Sequence, residues 1–145
     1  MGYYKPVSAE NVWEYSVRTL TSPHMILIES NNILFELPKE RSVTGTTWEK
    51  VKQFRVLGDG TISLACALKS SISGYTAVCD VKKNGSHVAY LNNATTSYVT
   101  KSVKLDVTSG DLIELYLHHV DSSATAYIKD VQIKCEILPL SDLID

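Results

Sequence analysis

The stretch YTAVCDVKKNGSHVAY, residues 75–90, contains two runs of alternating apolar and polar residues around an Asn-Gly pair. Alternation with a period of two predicts strands with one buried face. Asn-Gly between two such runs is the strongest short signal for a β-hairpin, because both residues tolerate the positive φ that a type I′ turn requires. The stretch therefore predicts an antiparallel hairpin with its turn at Asn84-Gly85.

The register of neighbouring strands follows from this turn and from a second loop upstream. The Asn84-Gly85 turn pairs Val81 with Val88 and Cys79 with Tyr90. If residues 71–74 form a four-residue loop, the preceding strand pairs Ser70 with Tyr75, Leu68 with Ala77, Cys66 with Cys79, and Leu64 with Val81. Both turns place the apolar side chains on the same face, so we predict a three-stranded meander with that face buried.

Alternation and turn residues predict most of the remaining chain to be β-strand. A strand over residues 48–57 is expected to form a hairpin with residues 62–68, and a bulge near Lys52 and Gln53 would keep lysine side chains out of the core. Other predicted strands are 98–107, 112–119, 124–137 and a short pair around residues 31–32. About eight short strands predict a mainly β chain, a two-sheet antiparallel β-sandwich of jelly-roll type.

The first 24 residues read differently from the remainder. Ser8 is a candidate N-cap for a short α-helix that runs to about Tyr15, and Pro23 follows in a linker. We therefore divide the chain into an N-terminal helical head with its linker, residues 1–24, and a β-sandwich domain, residues 25–145. Trp13 on this helix is a candidate anchor for a partner protein, and packing on its own domain is an equal alternative.

Composition limits the classes of function. The 145 residues carry a formal net charge of −2, and their lysines are dispersed along the sequence. This pattern is not typical of proteins that bind nucleic acid or an anionic membrane. The start of the chain lacks the features of a signal peptide, and the longest aliphatic run, residues 25–28, is too short to span a bilayer. We expect a protein made in a cytoplasm.

The three cysteines show no spacing typical of a metal site or a disulfide framework. Cys66 and Cys79 are interpreted as buried apolar residues in preference to a redox pair. His118 and His119 are adjacent on a predicted strand, so their side chains point to opposite faces and cannot bind one ion together. We expect no metal and no cofactor.

A catalytic site is not indicated by the sequence. Glutamates at positions 36, 40 and 49 could be imagined as a glycosidase pair, but such residues around strand ends are usually solvated. Neither a phosphate-binding glycine loop nor a nucleophile next to a base is recognisable. We therefore predict a protein that is not an enzyme.

Two parts of the sequence resemble bacteriophage proteins. Residues 12–21, VWEYSVRTLT, resemble a "VW-Y-RTLT" segment of phage tail and minor structural proteins, particularly from phages of Gram-positive hosts. Residues 43–52, 108–116 and 126–131 are similar to the β-sandwich modules of siphophage tail-tip and baseplate proteins. In size and layout the chain resembles small tail-region proteins of Bacillus siphophages, whose sandwich is related to the shoulder domain of lactococcal phage receptor-binding proteins.

The resemblance implies a non-enzymatic structural or accessory protein of the host-adsorption apparatus, located in the tail region of the virion. Its partners would be other tail or baseplate proteins, and sandwiches of this type often form homo-oligomers. Candidate contact residues are Trp13, Tyr15 and Arg18.

The alternative hypothesis is a carbohydrate-binding module for a host cell-wall saccharide, since a jelly-roll face can carry tyrosines that stack on sugars. The candidates are Tyr75, Tyr90, Tyr98, Tyr116 and Tyr127, although packing in the core or between strands is the simpler interpretation.

Overall fold

The computed structural model describes residues 25–28, 32–136 and 140–145, and the side chains of residues 34–135 and 141–145. The predicted helical head therefore lies outside the described residues, as do its candidate contacts Trp13, Tyr15 and Arg18.

The described residues form eleven β-strands and no helix. The strands are β1 (Met25–Ile28), β2 (Asn32–Leu37), β3 (Arg41–Thr44), β4 (Glu49–Val56), β5 (Gly60–Ser70), β6 (Ala77–Lys83), β7 (Ser86–Asn93), β8 (Val99–Val107), β9 (Leu112–His119), β10 (Thr125–Glu136) and β11 (Leu140–Ile144).

The strands form two antiparallel sheets. The six-stranded sheet has the order β1-β2-β10-β5-β8, and β3 pairs with the first half of β10. The five-stranded sheet has the order β11-β4-β9-β6-β7. The inward side chains of both sheets form one apolar core, whose largest fully buried members include Phe54, Leu64, Ile113, Leu117 and Ile133. The prediction of a mainly β, two-sheet antiparallel sandwich is confirmed.

Two predicted hairpins are wrong. β4 does not pair with β5, and β5 does not pair with β6; β5 lies between β10 and β8, whereas β4 and β6 flank β9 in the other sheet. The predicted faces are nevertheless right, because Leu64, Cys66, Cys79 and Val81 are all fully buried. Alternation specifies which face of a strand is buried, and a short connection can cross to the opposite sheet as easily as it can turn within one.

The predicted turn between β6 and β7 is confirmed, with φ of 52° at Asn84 and 85° at Gly85. The predicted register is wrong beyond the first two pairs. Val88 is an extra residue at a bulge, so Val81 pairs with Ala89 and not with Val88. The bulge turns Val88 and Tyr90 out of the core, and both are exposed.

The predicted bulge in β4 is confirmed, since the register with β9 shifts between Lys50 and Lys52. It does not keep lysine out of the interior. Lys52 is fully buried, and its ammonium group donates hydrogen bonds to the carbonyl oxygens of Leu37 and Lys39 and to the carboxylate of Asp145.

All three cysteines are reduced and buried. Cys66 on β5 and Cys79 on β6 meet across the core from opposite sheets. A hydrogen bond from one thiol to the other, together with burial, raises the pKa of Cys79 well above its ordinary value. Both effects disfavour the reactive thiolate, which supports the interpretation of these residues as part of the core.

We expect the three thiols to be inert to a disulfide reagent in the folded protein. Ellman's reagent should modify none of them under native conditions and all three in denaturant, because both access and thiolate formation require unfolding. Rapid modification of Cys66 or Cys79 at a rate independent of stability would contradict the burial described above.

Candidate functional site

Four aromatic rings form a continuous group on the outer face of the five-stranded sheet. The Trp48 ring lies 3.7 Å from the His118 ring, centroid to centroid, and their planes differ by 22°. Tyr90 lies 6.2 Å from Trp48 with planes 17° apart, and His87 lies 4.2 Å from Tyr90. We call the row His87, Tyr90, Trp48 and His118 the ring strip.

The ring strip is open to solvent although its members are large. Trp48 is 38% exposed and Tyr90 is 55% exposed. Exposed aromatic side chains that lie together are unusual on a protein surface unless they bind something. The strip is therefore the strongest candidate for a binding surface in the described part of the chain.

Hydrogen bonds hold one end of the strip in place. The Nδ1–H of His118 donates to the carbonyl oxygen of Thr46 at 3.2 Å, which fixes the imidazole beneath Trp48. Gly45 permits the turn before Trp48, with φ of 93°, and a Cβ there would lie 3.3 Å from the carbonyl oxygen of Ser122. Its own N–H donates to Ala124, so this loop is tied to the loop that follows β9.

The bulge in β7 forms the other end of the strip. Residues three apart on a regular strand point to opposite faces. The extra residue at Val88 changes this parity, so His87 and Tyr90 lie on the same outer face with their rings in contact. The sequence analysis missed this arrangement because it assumed a regular hairpin.

A buried carboxylate lies at the base of the ring strip. Asp80 pairs with Tyr90 on one side and with Tyr116 on the other, and its side chain is 8% exposed. One carboxylate oxygen accepts a 2.6 Å hydrogen bond from Nδ1–H of His87. Among the described residues, none donates to the second oxygen. Asp80 therefore orients the imidazole and retains a free acceptor beside the rings.

Charged side chains border the strip. The ammonium group of Lys82 lies 4.4 Å from the centroid of the Tyr116 ring. Lys50 donates to the carboxylate of Glu114 at 3.2 Å and to Gln53 at 2.8 Å. The surface thus combines flat apolar rings with a rim of hydrogen-bonding groups, a combination that suits a ligand with both C–H faces and hydroxyl groups.

The tyrosines considered in the sequence analysis do not lie in the core. Tyr75 and Tyr90 are exposed, and Tyr98, Tyr116 and Tyr127 are half-buried on outer faces. The interpretation that these tyrosines pack in the core was therefore wrong, whereas packing between strands does occur. The structure brings Tyr90 and Tyr116 to one face and places Tyr98 and Tyr127 on the opposite sheet.

The two adjacent histidines point to opposite faces, as predicted. His118 belongs to the ring strip, whereas His119 is fully buried. Nε2–H of His119 donates to Ser70, and its Nδ1 accepts from the backbone N–H of Asp121. A serine and a histidine in contact resemble part of a hydrolase site. Here, however, both groups are buried and the Asp121 carboxylate accepts hydrogen bonds from Ser123, so the arrangement is structural.

The structure places Glu49 in a different sheet from the other two glutamates that were considered as a glycosidase pair. Glu36 on β2 and Glu40 lie with the six-stranded sheet, and Glu40 accepts a hydrogen bond from the hydroxyl of Tyr98. Glu49 begins β4 in the other sheet and is exposed.

Within the described residues, no group of three or more His, Cys, Asp or Glu side chains is placed to hold a metal ion. The same residues include no helix of the length and hydrophobicity needed to cross a membrane.

No family model matches the sequence, and no curated protein matches it. Among solved structures, the chain is similar to the CBM36-1 domain of a multidomain xylanase from the hindgut metagenome of Trinervitermes trinervoides. The TM-score is 0.57 at 15% identity, over 72% of this chain and 97% of that domain. This likeness establishes a shared β-sandwich fold.

Two further solved structures resemble the chain more distantly. The C-terminal domain of EclA, described as a sugar-binding protein, gives a TM-score of 0.42 at 14% identity, over 90% of this chain and 99% of that chain. A CBM36 carbohydrate-binding module in complex with calcium and xylotriose gives 0.41 at 19% identity, over 80% and 85%.

Proposed function

We propose that this chain is a non-catalytic carbohydrate-binding module and that the ring strip is its saccharide-binding surface. The observation that carries the proposal is the row of adjacent, solvent-accessible rings on the outer face of a sheet, in which Trp48 stacks on both Tyr90 and His118, with the Asp80 carboxylate at the base of the row. The β-sandwich shared with the CBM36-1 domain supports it, because the same architecture holds a carbohydrate-binding module there.

The chemistry of the surface fits a neutral saccharide. One face of a pyranose ring presents C–H groups, which pack on the negative face of an aromatic ring. The hydroxyl groups at its edge require acceptors and donors, and the free oxygen of Asp80 and the outer ring nitrogen of His87 lie beside Tyr90. His87, Tyr90 and His118 are carried on packed strands and Trp48 directly precedes β4, so the rings need little reordering on binding, which reduces its entropic cost.

We expect Trp48→Ala to weaken saccharide binding by about tenfold or more, equivalent to about 1.4 kcal/mol, because it removes the central ring of the strip. Trp48→Phe keeps a ring and should lose less. The measurement is affinity electrophoresis against xylan, mixed-linkage β-glucan and Gram-positive cell-wall polysaccharide, followed by calorimetry with the best ligand.

The sequence offers a spectroscopic control. Its two tryptophans are Trp13 and Trp48, so Trp13→Phe leaves Trp48 as the sole tryptophan and saccharide should shift its emission.

Tyr127→Ala is the matched variant on the opposite sheet and should bind normally. Binding by none of these polysaccharides at millimolar ligand, or equal losses in Trp48→Ala and Tyr127→Ala, would refute the proposal.

The resemblance to phage tail proteins remains a prediction about the setting in which such a module acts. A saccharide-binding face is compatible with the host-adsorption apparatus, whose ligand would be a cell-wall saccharide. Detection of the chain in purified phage particles would support this placement, and its consistent absence from them would count against it.

A further inference from the structure

The outer face of the six-stranded sheet has a different character from the ring strip. In the middle of β5, the residues that point outward are small: Ser63, Ala65 and Ala67. The longer side chains of Lys134, Gln132 and Lys129 on β10 lie along one side of them, and Lys104 of β8 lies on the other side at the Ser63 end, which leaves a shallow trough. A groove of about 560 Å³ lies at one end and is lined by Gly60, Thr61, Ile62, Ser63, Lys104, Lys134 and Cys135.

Two lysines flank this end of the trough. Ser63 pairs with Lys134 of β10 on one side and with Lys104 of β8 on the other. Both lysines are exposed. Within the described part of the chain, neither ammonium group has an acidic or hydrogen-bonding partner. Two cations without counter-ions on opposite walls of a groove favour an anionic group between them.

The cationic character continues along the trough. Lys129 pairs with Ala67, four residues from Ser63, which corresponds to about 13 Å along an extended strand. Lys69 follows at the far end, and both ammonium groups lie over the Tyr98 ring, at 4.8 Å for Lys69 and 4.4 Å for Lys129. We call this surface, from Lys104 and Lys134 to Lys69 and Lys129, the lysine trough.

Acidic side chains border the trough, and among the described residues more of them lie beside Lys69 and Lys129 than beside Lys104 and Lys134. Asp106 accepts a hydrogen bond from the hydroxyl of Thr61 at 2.9 Å, and Glu40 accepts one from Tyr98. Asp130 lies 3.9 Å from the ammonium group of Lys129, and Glu36 lies on β2, one strand beyond Gln132. The pair Lys104 and Lys134 is therefore the strongest cationic position on this face.

We propose that the lysine trough is a second binding site, separate from the ring strip, for a linear saccharide polymer that carries anionic groups. The distance between the pair Lys104 and Lys134 and the pair Lys69 and Lys129 suits an extended chain with repeated charges better than a single small ion. Hydroxyl and amide groups of Thr100, Ser102 and Gln132 along the walls can bond sugar hydroxyls. Nucleic acid fits less well, because single strands are held by stacking on open rings. The floor of the trough is alanine and serine, and the Tyr98 ring at its far end is already covered by the ammonium groups of Lys69 and Lys129.

The test compares polymers that differ in charge chemistry. The folded protein is titrated at low salt with polygalacturonate, which carries carboxylates, with poly(glycerol phosphate) teichoic acid, which carries phosphodiesters, and with neutral dextran. We expect binding to at least one of the two anionic polymers through the lysine trough, whereas binding of dextran would belong to the ring strip and should not depend on the lysines. The polymer that binds identifies the anionic group, and binding to neither overturns the proposal, as does equal binding of a single-stranded oligonucleotide.

Variants locate the site. Lys104→Gln combined with Lys134→Gln should weaken binding of the anionic polymer by about tenfold, whereas arginine at both positions keeps the charges and should retain it. Added salt should reduce the affinity of the parent protein more than that of the glutamine variant. Trp48→Ala should leave this binding unchanged, so failure of the ring-strip proposal and failure of this one are distinguishable. An unchanged affinity in the glutamine variant would overturn the site.

Discussion

Asp145→Asn is expected to lower the free energy of unfolding by about 2–3 kcal/mol, a large effect for a substitution near the end of the chain. Asp145 supplies the carboxylate that faces the ammonium group of the fully buried Lys52. With asparagine there, the ammonium group would keep the carbonyls of Leu37 and Lys39 as partners but would lose its counter-ion. A buried charge without its partner carries its desolvation penalty uncompensated.

The same ion pair connects three parts of the sandwich. Lys52 lies on β4, the two carbonyls belong to the end of β2 and the segment after it, and Asp145 follows β11. The Asp145 carboxylate also accepts from the backbone N–H of Lys39 at 3.0 Å. Loss of the charge should therefore loosen β11 from β4 as well as destabilise the whole domain.

Lys52→Met is the matched control. It replaces the buried cation by an apolar side chain of similar length, and it should cost less than Asp145→Asn because no buried charge remains. In the Lys52→Met background, Asp145→Asn should then cost little. Urea unfolding of the four proteins measures the coupling between the two residues, and additive losses would show that they do not act as a pair.

The pH dependence of this pair has a definite sign. Burial lowers the pKa of Lys52 below 10.5, and the hydrogen bond that its ammonium group donates to Asp145 partly offsets that effect. Between the lowered pKa and 10.5 the unfolded chain binds a proton that the folded chain does not, so this group makes stability rise with pH across that window. Asp145→Asn lowers the pKa of Lys52 further, so the stability that this variant has lost relative to the parent protein should become smaller at alkaline pH. Burial and the hydrogen bond to Glu40 raise the pKa of Tyr98, so this group makes stability fall as the pH rises. Both proteins contain Tyr98, so its contribution cancels in the difference between them.

The extent of the strands could be predicted from the sequence because period-two alternation is a local property. β6, β9 and β10 lie close to their predicted ranges, and the inward residues of β9 are buried as expected. Which strands are neighbours was not predictable in the same way, since β5 and β6 have compatible faces and yet belong to different sheets. β3 and β11 were not predicted at all, because β3 contains Val43 as its single apolar residue and the apolar residues of β11 do not alternate with polar ones.

Both candidate binding surfaces depend on this tertiary information. His87 and Tyr90 share a face only because of the bulge at Val88. Trp48 directly precedes β4, and its ring lies near Tyr90 although β9 and β6 separate β4 from β7 in the sheet. The lysine trough unites side chains from β5, β8 and β10. The lysines looked dispersed in the sequence, and only the order of strands in the six-stranded sheet brings them together.

Trp48 of the ring strip lies at the end of the loop between β3 and β4. The position of this loop depends on buried polar contacts. The backbone N–H of His119 donates to the carbonyl oxygen of Gly45 at 2.9 Å, which ties this loop to the end of β9. The His119 ring then bonds to Ser70 at 2.8 Å, at the end of β5 in the opposite sheet. The ring thus joins the two sheets at this end of the sandwich.

His119→Ala is accordingly expected to lower the free energy of unfolding by about 3 kcal/mol. The substitution opens a cavity at a fully buried position and leaves the N–H of Asp121 without its acceptor. Ser70→Ala is the milder comparison, with an expected loss of about 1–2 kcal/mol, because it removes the hydroxyl's bonds to His119 and Ile72 but opens little space and keeps the imidazole in place.

The two variants also separate stability from binding. If His119 positions the loop before Trp48, His119→Ala should weaken saccharide binding even under conditions where the variant is fully folded, while Ser70→Ala should bind nearly as well as the parent. Urea unfolding gives the stabilities, and calorimetry below the unfolding transition gives the affinities. A loss of stability below about 0.5 kcal/mol in His119→Ala, the range of ordinary surface changes, would show that this buried network does not hold the two sheets together at the binding face.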